Sequence, residues 1–330
     1  MAVLLLGNGI NQKEDLVCSW DDLLKRACSD DIIKKGGSVP PDLLPSVEGL
    51  TMTLGFELQE FYAVDNHLAR DGTDLKRKIA ESMQKRILEK VSGPDFDWKN
   101  TLHRQIMGLK ADTILTTNYD YALEASVCPD FKSSSGSRET IYSRYRHHTV
   151  NVDGRDKKVF HIHGEMHVPR SICLGFEQYS GALEKMRSDL VRTTKNKEDP
   201  SDRHTYHLRD VMQGIGKADG SSEDDGAWYL RFFREDIYIL GLRLDFSEQD
   251  LWWLLDFRIR KLRYEEDDLG IRNHIFFFDS DASSVREEGR YGPRNDLLRA
   301  FGAEIIYLDG PTYEDKYLQA LERLKADLEP

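Results

Sequence analysis

The stretch VLLLGNGIN at residues 3–11 determines the fold that we predict for this chain. Four consecutive apolar residues, Val3–Leu6, are typical of a strand that is covered on both faces, as strands in parallel sheets are. Gly7 and Gly9 follow at once and mark the turn from strand to loop. Because no basic residues precede the apolar run, it predicts a buried first strand and not a signal peptide.

Further apolar runs continue the predicted sheet. They are Thr113–Thr117, Lys158–Ile162, Asp236–Leu240, Ile275–Asp279 and Glu304–Leu308. Segments with helical spacing of apolar residues lie between them, and Ser19, Ser247 and Thr312 each stand at the start of one. The alternation of strand and helix predicts an α/β fold with a Rossmann-like, doubly wound parallel sheet.

Two segments interrupt this alternation. Residues from about 42 to 109 are helical throughout and too long for one crossover, so we interpret them as a helical insertion. Residues from about 181 to 226 mix a helix with polar stretches that are typical of loops. Since no internal repeat is evident, we expect a single domain over residues 1–330 that carries both insertions.

The composition limits the classes of function. A net charge of -12 argues against direct nucleic-acid binding, because a polyanion needs a basic surface. No apolar run approaches the roughly 20 residues that cross a bilayer, so we expect no membrane association. Cys18, Cys28, Cys128 and Cys173 lack the paired spacing of a disulfide framework or a zinc ribbon. We therefore expect a cytoplasmic protein.

The glycine loop after the first strand has two interpretations. Gly7 and Gly9 would let the backbone approach a pyrophosphate, and exposed N–H groups would face it. However, Gln12 occupies the position of the third glycine in the dinucleotide-binding fingerprint. A simple turn at the end of a strand explains the two glycines about as well.

The stretch TTNYD at residues 116–120 lies at the carboxyl end of the second predicted strand. Ligands of open α/β sheets bind at that edge. Asn118 can both donate and accept hydrogen bonds, so it could orient a water molecule or a ribose hydroxyl. The alternative is that Asn118 or Asp120 only caps the helix that starts nearby.

The stretch FHIHG ends the third predicted strand, and alternation places its two histidines, His161 and His163, on one face. An imidazole with a pKa near 6.5 is suited to accepting a proton at cellular pH. Histidines bonded to backbone carbonyls are one alternative. A metal site formed by His161, His163 and His167 is another, but the metallo-hydrolase pattern places an Asp where Met166 stands. We therefore expect no metal.

The stretch GLRLD at residues 241–245 follows the fourth predicted strand. Gly241 stands where the strand becomes a loop, and Arg243 could meet a phosphate. A turn with a solvent-facing arginine is the alternative. Asp279 ends the next strand, where its carboxylate would hold a ribose diol or cap a turn.

Taken in order, these motifs resemble the bacterial sirtuin-like family, which includes NAD hydrolases of phage defence. Deacylating sirtuins read Gly-Ala-Gly-Ile-Ser, Thr-Gln-Asn-Ile-Asp, His-Gly and Gly-Thr-Ser-Leu. Asn118 and Asp120 match the Asn and Asp of the second motif, and His163, directly before Gly164, matches the catalytic histidine. The stretch LGFEQY at residues 174–179 is similar to the segment that follows the histidine in the defence branch.

The resemblance implies that NAD is the substrate and that its nicotinamide–ribose bond is cleaved. It assigns Asn118 to orientation of the ribose or of water, His163 to the role of general base or ribose contact, and Asp120 to electrostatic support. The NAD-binding residues that we predict are Gly7, Gly9, Asn11, Thr117, Gly241, Arg243 and Asp279.

The sequence departs from the deacylating sirtuins in two places. Asn11 replaces a Ser of the glycine loop, and the four-cysteine zinc module is missing. We therefore expect no zinc, and we expect NAD hydrolysis by a regulated effector of bacterial anti-phage defence. Such an enzyme needs control, which implies a homo-oligomer or a companion regulatory protein. The alternatives are an NAD-dependent deacylase or ADP-ribosyltransferase, and a non-catalytic sensor of NAD or ADP-ribose in a defence complex.

Overall fold

The first strand of the chain lies at the centre of a seven-stranded sheet. A computed structural model describes residues 2–13, 15–16, 23, 26–29, 50–133, 142–191, 194–195, 203–204, 208, 212, 227–264, 269–280 and 292–329. Its strands are β1 (Ala2–Leu6), β2 (Thr113–Thr116), β3 (His148–Val152), β4 (Arg155–His161), β5 (Thr194–Lys195), β6 (Arg203–His204), β7 (Asp236–Leu240), β8 (Ile275–Asp279) and β9 (Ala303–Tyr307).

The sheet has the strand order β3-β4-β2-β1-β7-β8-β9. Every neighbouring pair is parallel except β3 and β4, which are antiparallel. The chain builds one half of the sheet outward from β1 through β2 and β4, and then returns to the other side of β1 with β7. This reversal makes β1 the switch point of a doubly wound sheet. The predicted Rossmann-like α/β fold, with its six strands, is confirmed.

Strand β3 is absent from the prediction, and the reason is its pattern. Its residues alternate between buried and exposed, as an edge strand with one solvated face does. The turn to β4 consists of Asp153 and Gly154, which both have positive φ angles, 50° and 84°. An Asp-Gly pair between two short strands is a strong hairpin signal, and it could have located β3.

Helices cover both faces of the sheet. They are α1 (Gly9–Lys13), α2 (Met52–Asp65), α3 (Gly72–Val91), α4 (Leu102–Gly108), α5 (Ala122–Val127), α6 (Phe176–Leu190), α7 (Arg231–Arg234), α8 (Gln249–Tyr264), α9 (Gly292–Ala300) and α10 (Tyr313–Leu328). The predicted cap at Thr312 is confirmed, since its hydroxyl accepts a hydrogen bond from the backbone N–H of Asp315. None of the helices within the described ranges is long and apolar enough to cross a membrane.

Other expectations about the helices have different outcomes. Ser19 lies outside the described residues. The helix assigned to Ser247 begins at Gln249, and the Ser247 hydroxyl has no hydrogen-bond partner among the described residues, so it does not cap α8. The described part of the predicted insertion at 42–109 is mostly helical, as α2, α3 and α4 show, whereas α6 occupies the start of the segment 181–226.

The core consists of one apolar layer on each face of the sheet. Alternate residues of β1 point to opposite sides, so Val3 and Leu5 pack in one cluster and Leu4 and Leu6 in the other. A third cluster joins α2 and α3 to residues near the carboxyl ends of β2 and β4, including Tyr119 and Ile172. This third cluster places the helices of residues 52–91 beside the edge where ligands of such sheets bind.

Gly7 and Gly9 allow the loop after β1 to lie directly against the loop after β7. A Cβ on Gly7 would lie 2.5 Å from the carbonyl oxygen of Gly241 and 2.6 Å from Cα of Leu242. A Cβ on Gly9 would lie 2.9 Å from the same carbonyl oxygen. Two backbone hydrogen bonds close this contact, from Gly7 N to Leu240 O at 3.0 Å and from Gly9 N to Gly241 O at 2.8 Å.

We predict that Gly7→Ala lowers the free energy of unfolding by about 1–3 kcal/mol, because the new methyl group meets backbone atoms that cannot turn away. Urea denaturation measures the change. Gly108→Ala is the control, since nothing lies within 4 Å of a Cβ at that position. Equal stability of the Gly7→Ala variant and the wild type would contradict the close contact between the two loops.

Candidate active site

A cavity of about 410 Å³ lies at the carboxyl ends of the parallel strands. This volume falls within the range of roughly 300–1,000 Å³ that is usual for small-molecule sites. The loops that follow β1, β2, β4, β7 and β8 all contribute to its lining. The predicted site residues that line it are Gly9, Thr117, Asn118, Asp120, His163, Gly241, Arg243 and Asp279.

Gly7 and Asn11 are the predicted site residues that do not line the cavity. The N–H groups of Gly7 and Gly9 do not face a phosphate, because both donate to backbone carbonyls of the β7 loop. Asn11 is fully buried, where its Nδ2 donates to Oδ2 of Asp120 at 2.6 Å and its Oδ1 lies 2.7 Å from Nε2 of His103. Asn11 therefore contributes to the cavity indirectly, by holding the side chain of Asp120.

Asn118 is held at the cavity by contacts on three sides. Its backbone N–H donates to Oγ1 of Thr116 at 3.0 Å, and its carbonyl oxygen lies 2.9 Å from Nδ1 of His161. Its Nδ2 donates to the carbonyl oxygen of Gly7 at 3.4 Å. The side chain makes no capping contact with α5, so its carboxamide is positioned as a group that lines the cavity.

Asp120 is hydrogen-bonded to the first residue of α5, although the N-cap position itself is Tyr121. Its Oδ1 accepts a hydrogen bond from the backbone N–H of Ala122 at 2.9 Å, and its Oδ2 accepts the bond from Asn11. Burial raises the pKa of Asp120 above its ordinary value, although both hydrogen bonds oppose this rise. With both oxygens occupied, Asp120 holds the loop after β2 in place at the cavity wall.

His163 lines the cavity and forms a buried pair with Asp250. Its Nε2 lies 3.0 Å from Oδ2 of Asp250, and each side chain is 1% exposed. Burial by itself lowers the pKa of His163, but the charge and hydrogen bond of Asp250, together with the charge of Glu248, outweigh burial and raise it. The pairing leaves Nδ1 as the ring nitrogen that is available to a ligand.

Glu248 and Asp250 are residues of the site that the sequence did not identify. Their stretch, SEQD at residues 247–250, was interpreted only as the start of a helix. The signal that could have found them is the position of two carboxylates directly after the β7 loop, at the ligand-binding edge of the sheet. Glu248 lines the cavity, and burial is the main cause that raises its pKa to about 8.

His161 and His163 do not share one face, which corrects the prediction. Strand β4 ends at His161, so the alternation does not extend to His163, and the two rings have different carboxylate partners. Nε2 of His161 lies 2.8 Å from Oε1 of Glu124. Burial by itself lowers the pKa of His161, but Glu124 outweighs it and raises the pKa to about 9. The ring is therefore charged at neutral pH and donates to both Glu124 and the Asn118 carbonyl.

The metal site of three histidines does not form among the described residues. The group of metal-ligand type that they contain combines His161 with Glu124 and His148, whose ligand atoms lie within 4.8 Å of one another. Each of these histidines is already hydrogen-bonded to a carboxylate. His161 is bonded to Glu124, and Nε2 of His148 lies 2.9 Å from Oε2 of Glu165. The group is a buried network of hydrogen bonds between histidines and carboxylates.

Asp279 is hydrogen-bonded to the start of α9. Its Oδ2 accepts hydrogen bonds from Nη2 of Arg294 at 2.9 Å and from Nδ2 of Asn295 at 2.7 Å. Arg294 also lines the cavity and donates through Nη1 to the carbonyl oxygen of Arg243 at 3.0 Å. The sequence did not identify Arg294, which connects the loops after β7 and β8. The side chain of Arg243 is exposed at the cavity.

A comparison with known protein families matches a segment that contributes to this cavity. A family model described as a SIR2-like domain matches residues 112–203. The matched segment contains β2 with Asn118 and Asp120 and β4 with the following His163. This match supports the resemblance to a sirtuin-like family and indicates an NAD-related enzymatic function. No curated protein matches the chain.

We predict that Asp250→Asn lowers the pKa of His163. The substitution removes the negative charge that raises this pKa, so burial, which favours the neutral ring, then has the larger effect. NMR titration of the histidine rings measures the shift. The pKa of His161 serves as an internal control, because its partner is Glu124. If Asp250→Asn left the His163 titration unchanged, the pair would not control the charge of this ring.

Proposed function

We propose that this chain hydrolyses NAD⁺ at the bond between nicotinamide and ribose, and that its products are ADP-ribose and nicotinamide. The observation that carries the proposal is the joint presence of Asn118 and the His163–Asp250 pair at one cavity. The SIR2-like match covers the segment that supplies Asn118 and His163. The absence of the four-cysteine zinc module from the sequence favours water over an acyl-lysine as the acceptor.

The reaction requires little covalent chemistry from the protein. As the bond between ribose C1′ and the ring nitrogen breaks, its electron pair passes to the nitrogen and neutralises the pyridinium charge. The ribose develops oxocarbenium character, as in other glycosidic cleavages. The oxygen of a water molecule bonds to C1′, and the proton that this water loses passes to His163 and then to solvent.

His163 acts in this proposal as the general base, with Asp250 orienting it. Because Nε2 is bonded to Asp250, Nδ1 is the nitrogen that receives the proton. This is the arrangement of nucleophile, base and orienting carboxylate that recurs in hydrolytic sites. Asn118 orients the water or a ribose hydroxyl, since its backbone and its Nδ2 are both fixed by neighbouring groups.

The remaining residues hold the rest of the dinucleotide in this proposal. Arg243 meets a phosphate, because it is the exposed cation at the cavity on the β7 loop. Gly9, Thr117 and Gly241 form the wall against which the substrate lies. Asp279, held by Arg294, faces a ribose. Gly7 and Asn11 contribute indirectly, through the contact between the two loops and through Asp120.

We predict that the purified protein releases nicotinamide from NAD⁺, whereas Asn118→Ala and His163→Ala do so at rates lower by about 10²–10⁴-fold. Chromatography of the products measures the release. His167→Ala is the matched control, because His167 belongs to the metal alternative that does not form, and it keeps wild-type turnover. Equal turnover by all of the variants would overturn the assignment of the site.

Uncontrolled hydrolysis of NAD would harm the host, so we propose that the activity is regulated. The chain acts as an NAD-depleting effector of anti-phage defence, and a homo-oligomer or a companion protein switches it on. The helical segment of the predicted insertion is the candidate contact surface. In support, α2 exposes several large apolar side chains, and Phe61 among them is 68% exposed. Unpartnered apolar patches of this kind are typical of interaction surfaces.

We predict that activity and association coincide. Size-exclusion chromatography, with turnover measured across the fractions, should place NAD hydrolysis in an oligomeric fraction or in one that contains the companion protein. Phe61→Asp should then reduce activity without lowering the melting temperature, because the wild-type side chain is exposed. A monomer that is active at all concentrations would contradict this part of the proposal.

A further inference from the structure

Glu248 is a carboxylate at the cavity that has no structural explanation. It is 7% exposed, and its Oε2 has no hydrogen-bond partner among the described residues. Burying a charged group without a partner is costly, and native proteins keep few such groups unless they have a function. Glu248 lines the cavity, so the partner that satisfies its charge can be a ligand.

The surroundings of Glu248 contain more acidic than basic groups. Burial raises the pKa of Glu248 most, the charge of His163 lowers it, and the charges of Asp250 and Asp245 raise it further. Asp250 is bonded to His163, and Asp245 accepts a hydrogen bond from the backbone N–H of Ser247 at 3.0 Å. When Glu248 ionises, it adds a further negative charge to this acidic part of the cavity, which a cationic ligand would neutralise.

We propose that Glu248 recognises the positive charge of the pyridinium ring and so makes the cavity selective for oxidised over reduced nicotinamide dinucleotide. This inference rests on the proposed function, because it takes NAD⁺ as the ligand. The two redox forms share their phosphates, riboses and adenine, so those parts cannot distinguish them. They differ at the nicotinamide ring, which is cationic in the oxidised form and neutral in the reduced form.

Glu248 and His163 lie at the same cavity, because both side chains line it. In agreement with this placement, the charge of each side chain shifts the pKa of the other. A ring that departs beside His163 is therefore exposed to the charge of Glu248. When the bond breaks, the positive charge moves from the ring to the adjacent ribose carbon, where the same carboxylate still stabilises it.

The test compares the binding of two ligands that cannot be hydrolysed. They are carba-NAD⁺, in which a carbocycle replaces the nicotinamide ribose, and its reduced form. We expect calorimetry to show that the wild type binds the oxidised form at least about tenfold more tightly. Glu248→Gln should bring the two dissociation constants within about threefold of each other. Glu322→Gln, the same charge change at an exposed position of α10, should keep the wild-type preference.

ADP-ribose, which lacks the ring, is the control for an intact cavity and should bind equally to wild type and Glu248→Gln. If that variant does not fold, the wild type alone decides the matter. Its preference for carba-NAD⁺ should increase roughly tenfold between pH 7 and pH 9, because Glu248, with a pKa of about 8, ionises over that range.

A preference that persists in Glu248→Gln, or a wild type that binds both forms equally, would overturn the inference. These outcomes are separable from failure of the proposed function. Release of nicotinamide by a wild type without redox preference would remove Glu248 from its role and leave the hydrolase intact. Selective binding without turnover would support the recognition by Glu248 while excluding hydrolysis.

Discussion

The contact between the loop after β1 and the loop after β7 is the constraint on which the site depends. Gly7 and Gly9 donate to Leu240 and Gly241, and neither position has room for a side chain. The carbonyl oxygen of Gly7 then accepts a bond from Asn118, so the same loop fixes a residue from β2. In this way one backbone contact at the switch point of the sheet joins the two halves of the cavity.

The site consists of two halves that come from different strands of the sheet. The half that belongs to β2 and β4 supplies Asn118 and His163, and behind it lies the buried network in which His161 is bonded to Glu124. The half that belongs to β7 supplies Asp250 and Glu248. His163 and Asp250 form the bond between the halves, because their atoms approach to 3.0 Å across the cavity wall. A doubly wound sheet permits such pairs, since loops distant in sequence meet at its carboxyl edge.

The electrostatics of the cavity follow from burial. An imidazole that is removed from water becomes neutral unless a carboxylate accompanies it, and both His161 and His163 have one. Oε2 of Glu248 is buried without a hydrogen-bond partner among the described residues. The histidine–carboxylate pairs stabilise the folded wall of the cavity, whereas Glu248 leaves a carboxylate oxygen that a ligand can satisfy. This difference separates the positioning groups of the site from the one that we assign to recognition.

The sequence by itself indicated six of the seven strands of the sheet, because strands that are buried on both faces are continuous apolar runs, which can be read locally. It also indicated Asn118 and His163, through motifs that keep their order along the chain. It could not determine the partners of these residues. Asp250 lies 87 residues from His163, and Asn11 lies 109 residues from Asp120. Only the tertiary structure decided those pairs, because hydrogen bonds between distant loops depend on which strands are neighbours in the sheet. For the same reason, only the tertiary structure showed that Gly7 and Gly9 make room for the backbone of the loop after β7.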